Sequence, residues 1–277
     1  MAMRTLAAGP AAAVGMLPDR SLLVGAGGAL WVVSSADGAT RPVALDYGAA
    51  KRRLQDVRAI ACNPAGTCAI ADLANNRVWA WEQTGTRPGA VTASLKPLAG
   101  SGTAFYPIGD GGLAASAQLD APRGVAWLPD GSLALSDTGH GRVRLVAADG
   151  RIVTLAGTGL AGAPGDAGPA GKAVLLAPGP LAAGPDGSLF VVETGAPRVR
   201  RINPDRQIET LATEPVAALA VTPGGVVVAA VGREIRTVGA GDGQAVARDL
   251  HGPAGLAVAA DGTLAVADTD RVVLLEP

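Results

Sequence analysis

Aromatic residues make up only 3% of the 277 residues, so the 48% apolar share rests on Ala, Val and Leu. Charge is also sparse. Asp, Glu, Lys and Arg total 17% and nearly cancel, leaving a net charge of −1. That balance argues against a general nucleic-acid surface and against an acidic tail. No run approaches the ~18 uninterrupted apolar residues of a membrane helix. Two cysteines, Cys62 and Cys68, are too few for a disulfide scaffold. Abundant backbone breakers, 39 Gly and 20 Pro, argue against long helices. The N-terminal apolar stretch is interrupted at Pro10, which makes it a poor signal peptide.

What the sequence does contain is a repeat. "PRGVAWLPDGSLALSDTGHGRVRLV" starts at Pro122. It returns as "PGPLAAGPDGSLFVVETGAPRVRRI" from Pro178 and as "PAGLAVAADGTLAVADTDRVVLL" from Pro253. Fainter copies begin at Pro10, Asp56 and Pro215. One turn position recurs at Arg20, Gly66, Gly131, Gly187, Gly225 and Gly262. Within each copy, two short apolar runs flank a tight turn such as Pro-Asp-Gly, and an alternating run such as "RVRLV" follows. Such alternation predicts a strand with one wet face. A fourth strand is expected at 153–157, 209–213 and 96–100, and less clearly at 41–45 and 244–248. Four strands, here called a to d from the inside outward, make one propeller blade.

The expectation is therefore an all-β chain: a single-domain, six-bladed β-propeller of four-stranded antiparallel blades. The blades span about 10–45, 56–100, 122–157, 178–213, 215–248 and 253–277. The last copy lacks strand d, but "RTLAAG" at 4–9 resembles "VTLAG". Residues 4–7 are expected to supply that strand, close the ring and remove an exposed edge.

These units, with the connections "LAGSGTAFYPIGDGGLAASAQLDAP" and "LAGTGLAGAPGDAGPAGKAVLLAP", resemble NHL repeats over nearly the whole chain. Ala26 and Val231 depart from that pattern where other copies carry an acid. The resemblance implies a propeller. It also implies that the d–a and b–c loops surround one mouth of the central channel. It says little of activity, because NHL propellers bind proteins, RNA or small ligands and some relatives are lyases.

Asp72, Asp137, Glu193 and Asp268 recur at one position, followed by Arg77, Arg142, Arg198 and Arg271. A feature of every good repeat belongs to the fold, so these are read as structural hydrogen bonds or ion pairs. Departures from the repeat are more informative. Arg58 and Arg123 begin strand a in adjacent blades, where other copies have Ala or Gly, and could grip a carboxylate or phosphate. Asp56 and Asp120 are their alternative partners. His140 in a b–c loop and His251 in a d–a loop are candidate acids or bases, as is Tyr106. Tyr47, Phe105 and Tyr106 either contact a ligand or pin long loops. Trp31, Trp79, Trp81 and Trp127 are expected to pack between blades. "GDGG" at 109–112 and "GDAG" at 165–168 match no complete phosphate or calcium loop and are read as turns, leaving a cation at Asp110 or Asp166 a minor alternative. Cys62 and Cys68 flank one a–b turn, close enough for a disulfide, with two reduced thiols as the alternative.

Two functions compete. The first is a binding scaffold whose channel mouth recognises a protein or small anionic ligand, through Tyr47, Arg58, Phe105, Tyr106 and Arg123. The second is a lyase, cyclase or isomerase using His140, His251 or Tyr106 at that mouth. No cofactor is expected, nucleic acid is disfavoured, and a monomer is anticipated. The lack of a clear signal peptide favours the cytoplasm, whereas a Cys62–Cys68 disulfide would favour an oxidising compartment.

Overall fold

Each repeat turns where its own side chains stabilise a reversal. In the third copy Asp130 accepts the amide and hydroxyl of Ser132 at 2.9 and 2.6 Å. Gly131 adopts φ of +83°, a conformation that costs glycine little. The same Asx-turn joins Asp19 to Ser21, Asp186 to Ser188 and Asp261 to Thr263. In the first copy Arg20 occupies the glycine position with φ of +68°, and its guanidinium reaches Asp261 at 2.7 Å.

The computed structural model describes residues 2–48, 52–162, 165–239 and 243–277; Lys51 of the basic stretch 51–53 lies outside them. The chain begins with β1 (Ala2–Ala8), β2 (Ala13–Met16), β3 (Leu22–Ala26), β4 (Ala29–Val33) and β5 (Thr40–Asp46). There follow β6 (Val57–Cys62), β7 (Cys68–Asp72), β8 (Arg77–Arg87) and β9 (Ala90–Ala99), then β10 (Val125–Trp127), β11 (Leu133–Asp137), β12 (Arg142–Val146) and β13 (Ile152–Ala156). A two-residue β14 (Gly168–Pro169) precedes β15 (Pro178–Ala183), β16 (Leu189–Glu193), β17 (Arg198–Ile202) and β18 (Gln207–Ala212). Last come β19 (Ala218–Val221), β20 (Val227–Val231), β21 (Glu234–Val238), β22 (Ala245–Ala247), β23 (Gly255–Val258), β24 (Leu264–Asp268) and β25 (Arg271–Glu276).

The architecture is an all-β propeller built from antiparallel meanders. β10–β13 and β19–β22 form four-stranded sheets, and β14 adds a fifth strand to the outer edge of β15–β18. β23–β25 are completed by β1, with Ala2 opposite Glu276. In the remaining sheet two meanders, β2–β5 and β6–β9, join at their outer edges through parallel pairing of β5 with β9, Val43 opposite Val91. β8 and β9 are longer than the repeat suggests, and that extra length lets β9 cover the edge of β5. The innermost strands β2, β6, β10, β15, β19 and β23 pack on one another in turn, and β23 returns to β2.

The cores lie between neighbouring meanders. Leu22, Val24 and Val33 pack on Ala265, Val272 and Leu274, joining the first meander to the last. Between the second and third, Ala69 and Ala71 are completely buried, as is Ala134 between the third and fourth. Their small side chains allow the sheets to approach closely at native packing density. Trp79 and Trp81 are fully buried, and Trp127 donates its indole N–H across to the Ala61 carbonyl at 3.0 Å.

The strand β12 departs from the wet-face expectation. Arg144 and its counterpart Arg200 in β17 are completely buried, because each meets carboxylates on two sides. Deleting residues 2–8 strips β25 of its partner and removes the Arg4 contacts to the Ser35 and Ala36 carbonyls. The thermal midpoint should fall by on the order of 5–10 °C, with concentration-dependent aggregation from the bared edge. An unchanged melting curve would show that β1 does not stabilise the ring.

Candidate functional site

The b–c and d–a loops meet at one mouth of the channel, and the channel wall beneath them is almost entirely apolar. A cavity of about 50 Å³ sits there, lined by Val14, Ile60, Val125, Leu181 and their neighbours on the inner strands. Among the described residues, its only charged lining residues are Arg58 and Arg123, at the equivalent position in adjacent meanders. Arg58 pairs with Asp56 at 2.8 Å in an exposed contact. Arg123 is exposed and has no carboxylate partner among the described residues; Asp120 does not pair with it. The backbone that carries Arg123 is fixed, since Ser136 Oγ accepts the amides of Arg123 and Gly124 at 3.3 and 2.7 Å.

The recurring acids hold this mouth together. Each sits at the end of a b strand and accepts amides from the d–a connection entering its own meander. Asp72 takes Gln55 and Asp56, Asp137 takes Asp120, Glu193 takes Leu176, and Asp268 takes His251 and Gly252. All four are buried. Burial alone would raise the Asp268 carboxyl, but the His251 and Gly252 amides and the Arg271 guanidinium outweigh it and hold its pKa below the usual range. Two of the arginines that follow grip outgoing connections, whereas Arg198 pairs with Glu193 and Arg271 reaches Asp268 and the Asp249 carbonyl. Arg77 donates to the Ser101 carbonyl and Arg142 to the Thr158 carbonyl, both at 2.5 Å. Gly159, the second glycine of the "GTG" motif, adopts φ of +71°, a conformation that favours glycine, and leaves room for the Arg142 guanidinium beside it.

His140 is buried, at 5% exposure, and lies off the cavity wall. Its Nδ1 meets both Asp137 oxygens at 2.9 and 3.0 Å, and its Nε2 meets the Ala104 carbonyl at 3.3 Å. Two acceptors require two N–H donors, so the imidazolium fits this pocket. The hydrogen bond from Asp137 raises the His140 pKa, against the opposing effect of burial. The Tyr106 ring meets His140 edge-on at 5.1 Å, while its hydroxyl lies 3.5 Å from Arg142. Both residues thereby fasten the 100–120 connection. Phe105 beside them is 74% exposed. Tyr47 is likewise a pin: it packs edge-on against Trp79, and its hydroxyl accepts the Leu54 amide at 3.3 Å.

His251 is different. Its ring is half-exposed, Nδ1 lies 2.9 Å from both Asp270 oxygens, and Nε2 has no hydrogen-bond partner among the described residues. His251, Asp268 and Asp270 present ligand atoms within 4.8 Å of one another. Asp268, however, is already filled by amides and Arg271, so the trio does not offer three vacant ligands. Asp110 and Asp166, the acids of the Gly-Asp turns, receive Arg144 at 2.6 Å and Arg200 at 3.4 Å. Those guanidinium groups supply the positive charge that a cation would otherwise bring. No sequence signal distinguished Arg144 and Arg200 from solvent-facing strand residues except their position one turn of alternation after the recurring arginine.

The opposite mouth, formed by the a–b turns, is wider. A cavity of about 560 Å³ opens there, lined by apolar and proline residues, and the Cys62–Cys68 disulfide stands in its wall. The sequence reading had placed the cysteines correctly across one hairpin but had not marked this face as a site.

The His140 proton gives a pH signature. Because its folded pKa lies above the ordinary value of about 6.5, its stabilisation is complete below that value and is lost as pH rises through the folded value. Unfolding in denaturant across pH 5–9 should show this decline. His140→Gln should remove it, and Asp137→Asn should cost about 3 kcal/mol, because buried Arg144 keeps Asp110 but loses the second of its two carboxylates. An identical pH profile for wild type and His140→Gln would refute the assignment.

No protein-family model and no curated protein sequence matches the chain. Solved structures do match. A gluconolactonase from Xanthomonas campestris superposes with a TM-score of 0.67 at 15% identity, over 99% of this chain and 89% of that one. A streptogramin B lyase gives 0.60 at 12%, over 99% and 97%. A catalytically inactive His→Ala variant of virginiamycin B lyase from Staphylococcus aureus, solved with quinupristin, gives 0.58 at 12%, over 99% and 98%. At these identities the likeness establishes the β-propeller fold alone.

Proposed function

We propose that this chain is a six-bladed, NHL-like propeller that binds a small anion, or the carboxylate or phosphate group of a larger ligand, at the mouth carrying Arg58 and Arg123. The blade count rests on the six inner strands that pack in a closed circuit, with the eight-stranded sheet taken as two blades fused at their outer edges. One observation carries the binding reading: among the described residues, the two arginines are the only charged ones in an otherwise apolar cavity wall. Both groups are exposed and Arg58 is paired with Asp56 at 2.8 Å, so an anion would bind through Arg123 and by exchange of that pair. Arginine's planar fork suits carboxylate and phosphate. The cavity of about 50 Å³ admits the anionic group itself and leaves any remainder of the ligand among the loops above.

Titration calorimetry with a panel of mono- and dicarboxylates and phosphate esters tests this reading. Charge-assisted hydrogen bonds contribute about 1.5–3 kcal/mol each. Arg58→Ala with Arg123→Ala should therefore weaken the best binder on the order of 100-fold, while unfolding stays unchanged. Equal affinity in the double variant would sink the proposal.

A second reading, an acid–base enzyme of lyase, cyclase or isomerase type, is favoured by His251. A carboxylate on Nδ1 orients the ring and leaves Nε2 open to take a proton. One of the structural neighbours is a lyase whose His→Ala variant is catalytically inactive. In any turnover assay that succeeds with this protein, His251→Ala should lower kcat by roughly 100-fold or more, and His140→Gln should not. The reverse pattern would exclude His251 as the base.

A further inference from the structure

A broad hollow lies at the end of the channel away from Arg58 and Arg123. The basin of about 560 Å³ is walled by Pro64, Pro129, Pro185 and Pro223 from successive a–b turns, together with Trp127 and Cys62. A neighbouring hollow of about 500 Å³ shares Cys62, Pro64 and Ala260 with it. A shaft of about 260 Å³ continues from the basin between the inner strands, again past Cys62 and Trp127. Ile60, Val125, Leu181, Leu219 and Leu256 border both this shaft and the arginine cavity, and so partition the two ends.

The prolines by themselves need no ligand, since proline presets the first corner of such a turn. The chemistry of the wall is the informative part. No charged residue among those described lines the basin. Arg20 and Asp261, beside the neighbouring hollow, neutralise each other at 2.7 Å. The polar side chains on the wall are few and partly engaged: Asn63 Oδ1 accepts the Thr67 amide, Thr222 Oγ1 accepts the Val226 amide, and the Trp127 indole N–H goes to Ala61. The turn acids Asp130 and Asp186 bond their own serines, which hold both carboxyls below the usual range. The basin therefore offers flat apolar surfaces without charge, at a volume within the roughly 300–1,000 Å³ of small-molecule sites. The disulfide ties together the hairpin that carries Cys62, so this part of the wall is fixed in advance of binding.

We propose that the basin is a second binding site, for an uncharged, ring-bearing apolar molecule, separate from the anion mouth. The test uses N-phenyl-1-naphthylamine, an uncharged dye that brightens in apolar surroundings, titrated into the intact protein with its disulfide formed. Saturable binding of one dye per chain is expected. Ala65→Glu with Ala260→Glu places two carboxylates on exposed rim positions of the same basin and should weaken the dye at least tenfold, with the melting temperature as a check on folding. Arg58→Ala with Arg123→Ala should leave dye affinity unchanged. Absence of saturable binding would overturn the proposal. So would full affinity in the double-glutamate variant, or loss of affinity in the double-arginine variant, which would place the dye at the other mouth.

Discussion

A buried carboxylate at the end of each well-formed b strand is the interaction on which the loop-bearing face depends. Asp72, Asp137, Glu193 and Asp268 each sit out of solvent and gather amides from the incoming connection. A buried charge is tolerated only when it is paired and hydrogen-bonded, and here the partners are chain segments that would otherwise have no reason to lie still. In the third and fourth meanders a buried arginine extends the network to a second acid on the d–a loop. Gly-rich connections lose much entropy on ordering, and these ionic anchors offset that cost. The first and fifth meanders have Ala26 and Val231 at the position, and their incoming connections are held by backbone bonds such as Ala12 to the Gly25 carbonyl and Ala217 to the Ala230 carbonyl.

The face so ordered differs from its opposite in chemistry. One end of the channel presents two arginines over a small apolar cavity, and the other presents a broad uncharged basin ringed by prolines. Apolar side chains of the inner strands separate them. A partitioned channel would let two mouths select independently, which suits a rigid ring better than a pore. The same rigidity follows from Ala-rich contacts between sheets, where little space remains for rearrangement.

The repeat made the meanders and the N-terminal strand legible, because turn chemistry and alternation are local. "RTLAAG" reads as a strand since its partner is another copy of the same unit. The edge pairing of β5 with β9 was not legible, because nothing within either segment encodes contact between neighbouring blades. Sequence reasoning separated the repeated acids from candidate chemistry correctly, by the argument that recurrence serves the fold. The same argument could not tell where His140 would sit: a polar loop position in the repeat became a buried one once Tyr106 and the Ala104 carbonyl closed over it. Arg144 was equally hidden, since its burial depends on Asp110, distant in sequence and contributed by a loop. Arg58 and Arg123 stood out because they break the repeat at positions that the ring brings to its axis.

The most direct test of the account is an anomalous-scattering map from a crystal soaked in bromide. The account predicts a bromide peak between the guanidinium groups of Arg58 and Arg123, above the small apolar cavity. Bromide bound at other surface arginines, with none at this pair, would contradict it.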